Sequence, residues 1–258
     1  MRKSCRRVKS LRLLCLACLF VCATSGSPAN AETSTPKIVC RTKFAETRRA
    51  ELSAQLRAIT GWSKLDFDGE GVLRLGTEVT SGGSQSARAL LSAAQDGEKL
   101  IVLEDASGSA DVVFSRVLEG RWRNGSAGRP PAFIVQIDFK DFSHVMGDRA
   151  ALAAFNAGWG LLHEIEHAVR DSADPEGPGA AGECEEVVNK MRRECGLAER
   201  ADYFYTPLPG TGSGDFKTSY VRLAFRHARP GNKQQQYWLF WDAALTGGTP
   251  DANQVASK

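Results

Sequence analysis

His163-Glu164-Ile165-Glu166-His167 is the segment of this chain whose residue types and spacing could do chemistry. Residues i and i+4 of a helix differ by about 40° around its axis, so two histidines spaced this way direct their imidazoles to one side. Their ring nitrogens can then grip one zinc ion at about 2.0–2.1 Å. A glutamate directly after the first histidine lies beside such an ion, where its carboxylate can take a proton from water. The bland alternative is a helix with two unrelated histidines. Context weighs against it: the chain has 4 histidines and two of them form this pair, at the end of a strongly apolar stretch from Ala150 to Leu162.

A catalytic zinc needs a third protein ligand and an open position. No histidine follows at the short spacing His-x-x-Gly-x-x-His, the next being His227, which argues against the metzincin pattern. Glu183, Glu185 and Glu186 come 16, 18 and 19 residues after His167, at the start of the next expected helix. We favour Glu185, because Asn189 falls one turn further along the same face and could support it. Glu183 and Glu186 remain open, as do Cys184, Asp171 and His227 behind them, since thiolate, carboxylate and imidazole all bind zinc. An acidic first turn also suits the helix dipole with no metal at all. To stabilise an oxyanion the candidates are Tyr203, Tyr205, Tyr220 and His227, with Tyr203 first and Arg200 holding its loop.

These residues need elements to position them. Phe44 to Ile59 and Ser84 to Gln95 read as helices, the second ended by Asp96-Gly97. Lys99–Glu104 and Asp111–Val117 read as strands. In Ala132 to Phe139 the residues Phe133, Val135, Ile137 and Phe139 alternate with more polar neighbours, the pattern of a strand with one apolar face. Such a strand is a candidate edge for an extended peptide. Arg149 to Val169 reads as one long helix, buried on most sides because from Ala150 to Leu162 only Asn156 is strongly polar, and Gly158 and Gly160 suggest close approach by another backbone. Glu183 to Cys195 is a further helix closed by Gly196, and Tyr220–Ala228 and Gln235–Trp241 are strands around a turn. Helices and strands mix without βαβ regularity or internal repeats, so the expected class is α+β, as a single domain over residues 32 to 258.

Residues 1 to 31 have the order of a secretory signal peptide: six basic residues, an apolar run from Leu13 to Ala23, and the small triplet Ala29-Asn30-Ala31. That run is short for a membrane span, which needs about 20 residues. The formal net charge of +3 rests on those six residues; without them the chain is formally −3, with no electrostatic footprint for nucleic acid. Of 7 cysteines, only Cys40, Cys184 and Cys195 lie beyond residue 31. Cys184 and Cys195 are 11 residues apart, about 16 Å along one helix and too far to bridge, so Cys40 would be the partner in any disulfide.

With a glutamate-bearing helix behind it, the motif resembles the gluzincin branch of zincin metallopeptidases. The residues Gly182-Glu183-Cys184-Glu185, Asn189, Arg192-Arg193-Glu194, Gly196-Leu197, Arg200 and Tyr203 look like those of small bacterial metallopeptidases. The likeness covers residues 155 to 205. It implies a zincin-like domain with a mixed sheet, His163 and His167 as ligands, Glu164 as base and one downstream glutamate as third ligand. Asn189 stands where the thermolysin-like pattern has aspartate. The expectation is therefore a secreted or periplasmic zinc-dependent hydrolase of peptide or protein substrates, in contact with the membrane during export alone. The alternatives are a zinc-stabilised binding or interaction module without turnover, and a metal-free structural protein.

Overall fold

The computed structural model describes residues 37–79, 82–125, 127–208, 218–229 and 233–247. The expected signal peptide and the Ala31 cleavage site lie outside the described residues. In chain order the elements are β1 (Ile38–Cys40), α1 (Glu46–Thr60), β2 (Asp66–Phe67), β3 (Leu73–Arg74), α2 (Gln85–Asp96), β4 (Leu100–Asp105), β5 (Ser115–Gly120) and β6 (Ala132–Ile137). Then come α3 (Phe139–Ser143), β7 (Met146–Gly147), α4 (Arg149–Ala153), α5 (Ala157–Arg170), α6 (Gly182–Glu194), β8 (Glu199–Arg200), β9 (Thr206–Pro207), β10 (Tyr220–Arg229) and β11 (Lys233–Asp242). The class is α+β, as expected. Among the described residues no helix is long and apolar enough to cross a membrane.

The main sheet has the order β1-β4-β6-β5. β1, β4 and β6 are parallel, and β5 returns antiparallel to β6. Parallel strands require long crossovers, and α1 and α2 supply the one from β1 to β4. The helices carry the residues that make them amphipathic. Leu52, Leu56 and Ile59 of α1 and Leu90, Leu91 and Ala94 of α2 are buried against Ile101, Leu103, Val135 and Ile137 of the sheet. Ser84 caps α2, its side chain accepting from the Ala87 N–H. Helix α5 lies in the same apolar cluster through Trp159, Leu161, Leu162 and Ile165.

A second cluster forms under the β10–β11 hairpin, where Val221, Leu223, Phe225, Leu239 and Trp241 pack with Phe114, Ala151 and Ala154. Phe142 and Leu197 pack against both clusters.

Four sequence expectations change. The long helix expected over Arg149–Val169 is two helices, α4 and α5. Asn156 interrupts it by adopting extended backbone and accepting from the N–H groups of Gly158 and Trp159, as an N-cap. The strand expected to run to Phe139 stops at Ile137, because Asp138 caps α3 by accepting from Lys140 and Asp141. It is also an interior strand, paired on both sides, so the sheet edge near α5 is β5. β5 in turn starts at Ser115 rather than Asp111, after Phe114 takes φ 60°.

Candidate metal centre

Helix α5 carries His163, Glu164 and His167, all inside its last two turns. Both Nε2 atoms converge, 3.1 Å apart. The third group at this point is Asp174, whose Oδ1 lies 3.3 Å from each Nε2. An ion holding tetrahedral ligands at about 2.0–2.1 Å spaces them by about 3.3 Å, so the three atoms already stand at coordinating separations. Cys184, at the start of α6, is buried beside them, its Sγ donating to the His163 carbonyl at 3.3 Å. The ligand atoms of His163, His167, Asp174 and Cys184 all lie within 4.8 Å of one another. This group could hold a metal ion.

The local chain explains how Asp174 arrives. Asp171 ends α5 in the left-handed conformation, φ 58°, its N–H donating to the His167 carbonyl at 3.0 Å. The chain doubles back there, and the Ser172 carbonyl accepts from His167 Nδ1 at 2.6 Å. A carbonyl only accepts, so Nδ1 carries a proton and Nε2 faces the cluster, where its lone pair becomes free for a metal ion once the proton shared with Asp174 is displaced. The same loop closes against α6: a Cβ on Gly182, at φ 82°, would stand 2.4 Å from Pro175, so glycine allows this contact. Tyr203 donates its hydroxyl to Asp174 Oδ2 at 2.7 Å, leaving Oδ1 for the cluster. The ring of Tyr203 stacks on His163 at 5.9 Å between centroids.

Glu185, favoured in the sequence as third ligand, stands elsewhere. It faces inward while Glu183 and Glu186 are exposed, but it lies on the other side of His163, with Oε2 3.2 Å from Nδ1. That approach is too poorly aligned for a full hydrogen bond, although the charge still favours a proton on Nδ1. Its oxygens bond Arg192 and Arg200. Burial alone would raise its pKa, but these two guanidiniums override it and hold the carboxyl well below its usual range. Asn189 reaches this network through the arginines, accepting from Arg192 at 2.9 Å and from the Arg200 N–H at 2.8 Å. Arg200 holds the tyrosine loop, donating to the Asp202 and Tyr203 carbonyls. His227, on β10, is not among the clustered residues.

Glu164 is buried, and burial raises its pKa despite the neighbouring histidines. Ser115, the first residue of β5, donates to its Oε1 at 2.8 Å. Gly160, one turn earlier on α5, makes room for this contact: a Cβ there would come within 3.0 Å of both Ser115 Oγ and Phe142 Cζ. The close approach expected at Gly158 and Gly160 is thus real, but side chains make it. Around the cluster the titrations are coupled. Asp174, at the exposed edge of the group, is held well below its usual range by bonds from both histidines and Tyr203, which override its partial desolvation. His167 is pushed up to about 10, chiefly by Asp174, and His163 is raised in spite of its burial.

Two residues of this arrangement, Asp174 and Ser115, escaped the sequence reading. Asp174 was legible in principle, since a residue tolerant of the left-handed conformation, Asp171, follows the motif helix and a carboxylate comes three residues later. No signal marked Ser115, because its relation to Glu164 is made by sheet topology. The sequence left open whether Cys40 forms a disulfide; among the described residues Cys40, Cys184 and Cys195 are all free thiols. Cys40 is buried in the main core, and burial pushes its thiol up to about 12.

In the comparisons with known proteins, no family model, no curated protein and no solved structure matches this chain.

Proposed function

We propose that the chain is an exported zinc-dependent peptide hydrolase of zincin type, with His163, His167 and Asp174 as metal ligands. The observation carrying this reading is the convergence of two Nε2 atoms and one carboxylate oxygen at 3.1–3.3 Å, next to the buried carboxylate of Glu164. The donor set suits zinc, which takes imidazole and carboxylate ligands. When bound, such an ion supplies a Lewis acid that polarises a carbonyl and acidifies a water.

The chain's own residues do the rest. Glu164, its pKa raised by burial, accepts the water proton and returns it to the leaving amine. Ser115 fixes its orientation through Oε1. Tyr203 and Ser172 orient Asp174 and His167. Tyr203 therefore acts first as a positioning residue; the oxyanion role expected of it would require its hydroxyl to leave Asp174. A groove of about 370 Å³ runs from the cluster along Ser115–Glu119 of β5. Its strand edge offers backbone groups to an extended peptide, which makes β5, not the interior β6, the candidate docking edge.

Cys184 favours a second reading. Were its thiolate a fourth ligand, the site would be closed, as in structural zinc centres, and the chain a zinc-stabilised binding module. Replacing the metal with cobalt separates the two, since thiolate ligation gives an intense near-ultraviolet charge-transfer band. The hydrolase reading expects zinc at one per chain, peptide cleavage by the wild type, and retained zinc without cleavage in Glu164→Gln. A protein that holds zinc, shows the thiolate band after cobalt replacement and cleaves nothing in a peptide mixture would establish the module instead.

A further inference from the structure

Beside the candidate metal cluster, and adjoining the groove, lies a second cavity of about 440 Å³. Ser115, Glu164 and Tyr203 line both spaces. A chain lying along β5 would therefore reach the second cavity past Glu164 with a side chain adjoining the reacting bond. The walls are rings: Phe114, Phe142, Phe155, Tyr205 and Trp241, with Leu223 among them. Phe114 is the hub, its centroid 5.2 Å from Phe142, 4.9 Å from Phe155 and 5.1 Å from Trp241, the last two edge-on. Such walls present ring edges and faces that favour another aromatic ring over an aliphatic chain. The volume lies within the range of small-ligand sites. The polar end is formed by Arg192, Arg200 and Glu185, both arginines donating to the glutamate.

Phe114 holds a backbone conformation that bulky residues avoid, φ 60°. Two buried aspartates impose it. Asp141 Oδ2 accepts from the Phe114 N–H at 3.1 Å, and the Asp138 N–H donates to the Phe114 carbonyl at 2.7 Å. The same turn directs Ser115 to Glu164. One strained residue thus shapes the cavity wall and sets the support of the carboxylate.

Resting on the hydrolase reading, we propose that this cavity receives a bulky aromatic side chain of the peptide substrate adjoining the cleaved bond, with Phe114 as a specificity-determining residue. The test uses the zinc-loaded Glu164→Gln protein, with N-acetyl-phenylalaninamide and N-acetyl-alaninamide as probes and tryptophan fluorescence as readout, since Trp159 and Trp241 line the cavity. The phenylalanine probe should bind at least ~10-fold more tightly, as apolar pockets discriminate by side-chain size. Val113→Trp, at the wall, should remove that preference, and Leu223→Ala should shift it toward a naphthylalanine probe. A peptide-library digest by the wild type should place aromatic residues beside the cut. Equal binding of the two probes by protein of native melting temperature would overturn the proposal, independently of either variant's folding. Cleavage with no aromatic preference would overturn it while leaving the hydrolase intact. Aromatic binding with no cleavage of any peptide would overturn the substrate assignment, and the hydrolase reading with it.

Discussion

Replacing Glu185 and replacing Asp174 should damage different properties. Glu185 is 1% exposed in its side chain and pairs with Arg192, which is 3% exposed, and with Arg200, which is 16% exposed. Glu185→Ala leaves the Arg192 charge buried without its partner, a loss of about 3–5 kcal/mol in such settings. Arg200 adds less, being closer to solvent. For a chain of this size each kcal/mol moves the melting temperature by about 2–4 °C, so a fall of about 6–20 °C is expected. Asp174 is 34% exposed and bonds its neighbours from the groove side, so Asp174→Ala should cost the fold little. Its effect belongs to metal affinity, where losing a ligand should exceed the ~10–100-fold typical of removing a supporting partner. The assay is thermal unfolding of chelator-treated protein, which keeps metal binding out of the stability measurement, followed by competitive zinc titration. Should Glu185→Ala lose more zinc affinity than Asp174→Ala while melting like the wild type, the assignment is reversed and the glutamate is the ligand.

The metal-free site should also respond to pH. His163 and His167 have raised pKa values, so their protons contribute stability that is full below about 6.5 and lost as pH rises toward about 10 for His167. Zinc must displace those protons, so binding in weak buffer at pH 7 should release protons, and zinc affinity should rise with pH. Release of no protons in that titration would refute the protonated cluster. Gly160→Ala should push Ser115 from Glu164 and lower hydrolysis with zinc retained, because the new Cβ meets Ser115 Oγ and Phe142 at 3.0 Å. Serine-to-alanine replacement at 115 should reproduce the loss, and unchanged turnover in both would remove Ser115 from the mechanism.

Much of the fold was legible because short-range chemistry wrote it. Helices α1, α2 and α6 carry apolar residues at helical spacing and end at Gly61, Gly97 and Gly196, and strands β4, β10 and β11 lie where their patterns put them. The motif pair was readable for the same reason, since four residues of helix fix where two side chains point. The errors arose where one polar side chain outweighed an apolar run, as Asn156 and Asp138 did. Glu185 stands apart from the clustered residues for a different reason. The face it shares with Asn189 does not tell which side of His163 it meets, and the arginines that hold it come from later positions. Asp174 and Ser115 depend on a left-handed turn and on sheet order, which no periodicity encodes.

The two apolar clusters, joined through Phe142 and Leu197, bear on how this molecule comes apart. The histidines ride on a helix rooted in one cluster, while Leu223 and Trp241 of the cavity wall belong to the other. Such a chain can unzip in stages, the hairpin peeling away before the sheet gives up its helices. Amide protons of β10 and β11 would then exchange with solvent sooner than those of β4 and β6, and an aromatic ligand lodged between the clusters would slow the first group selectively. Occupancy of the cavity would register as a brake on opening of the hairpin, which carries none of the clustered histidines.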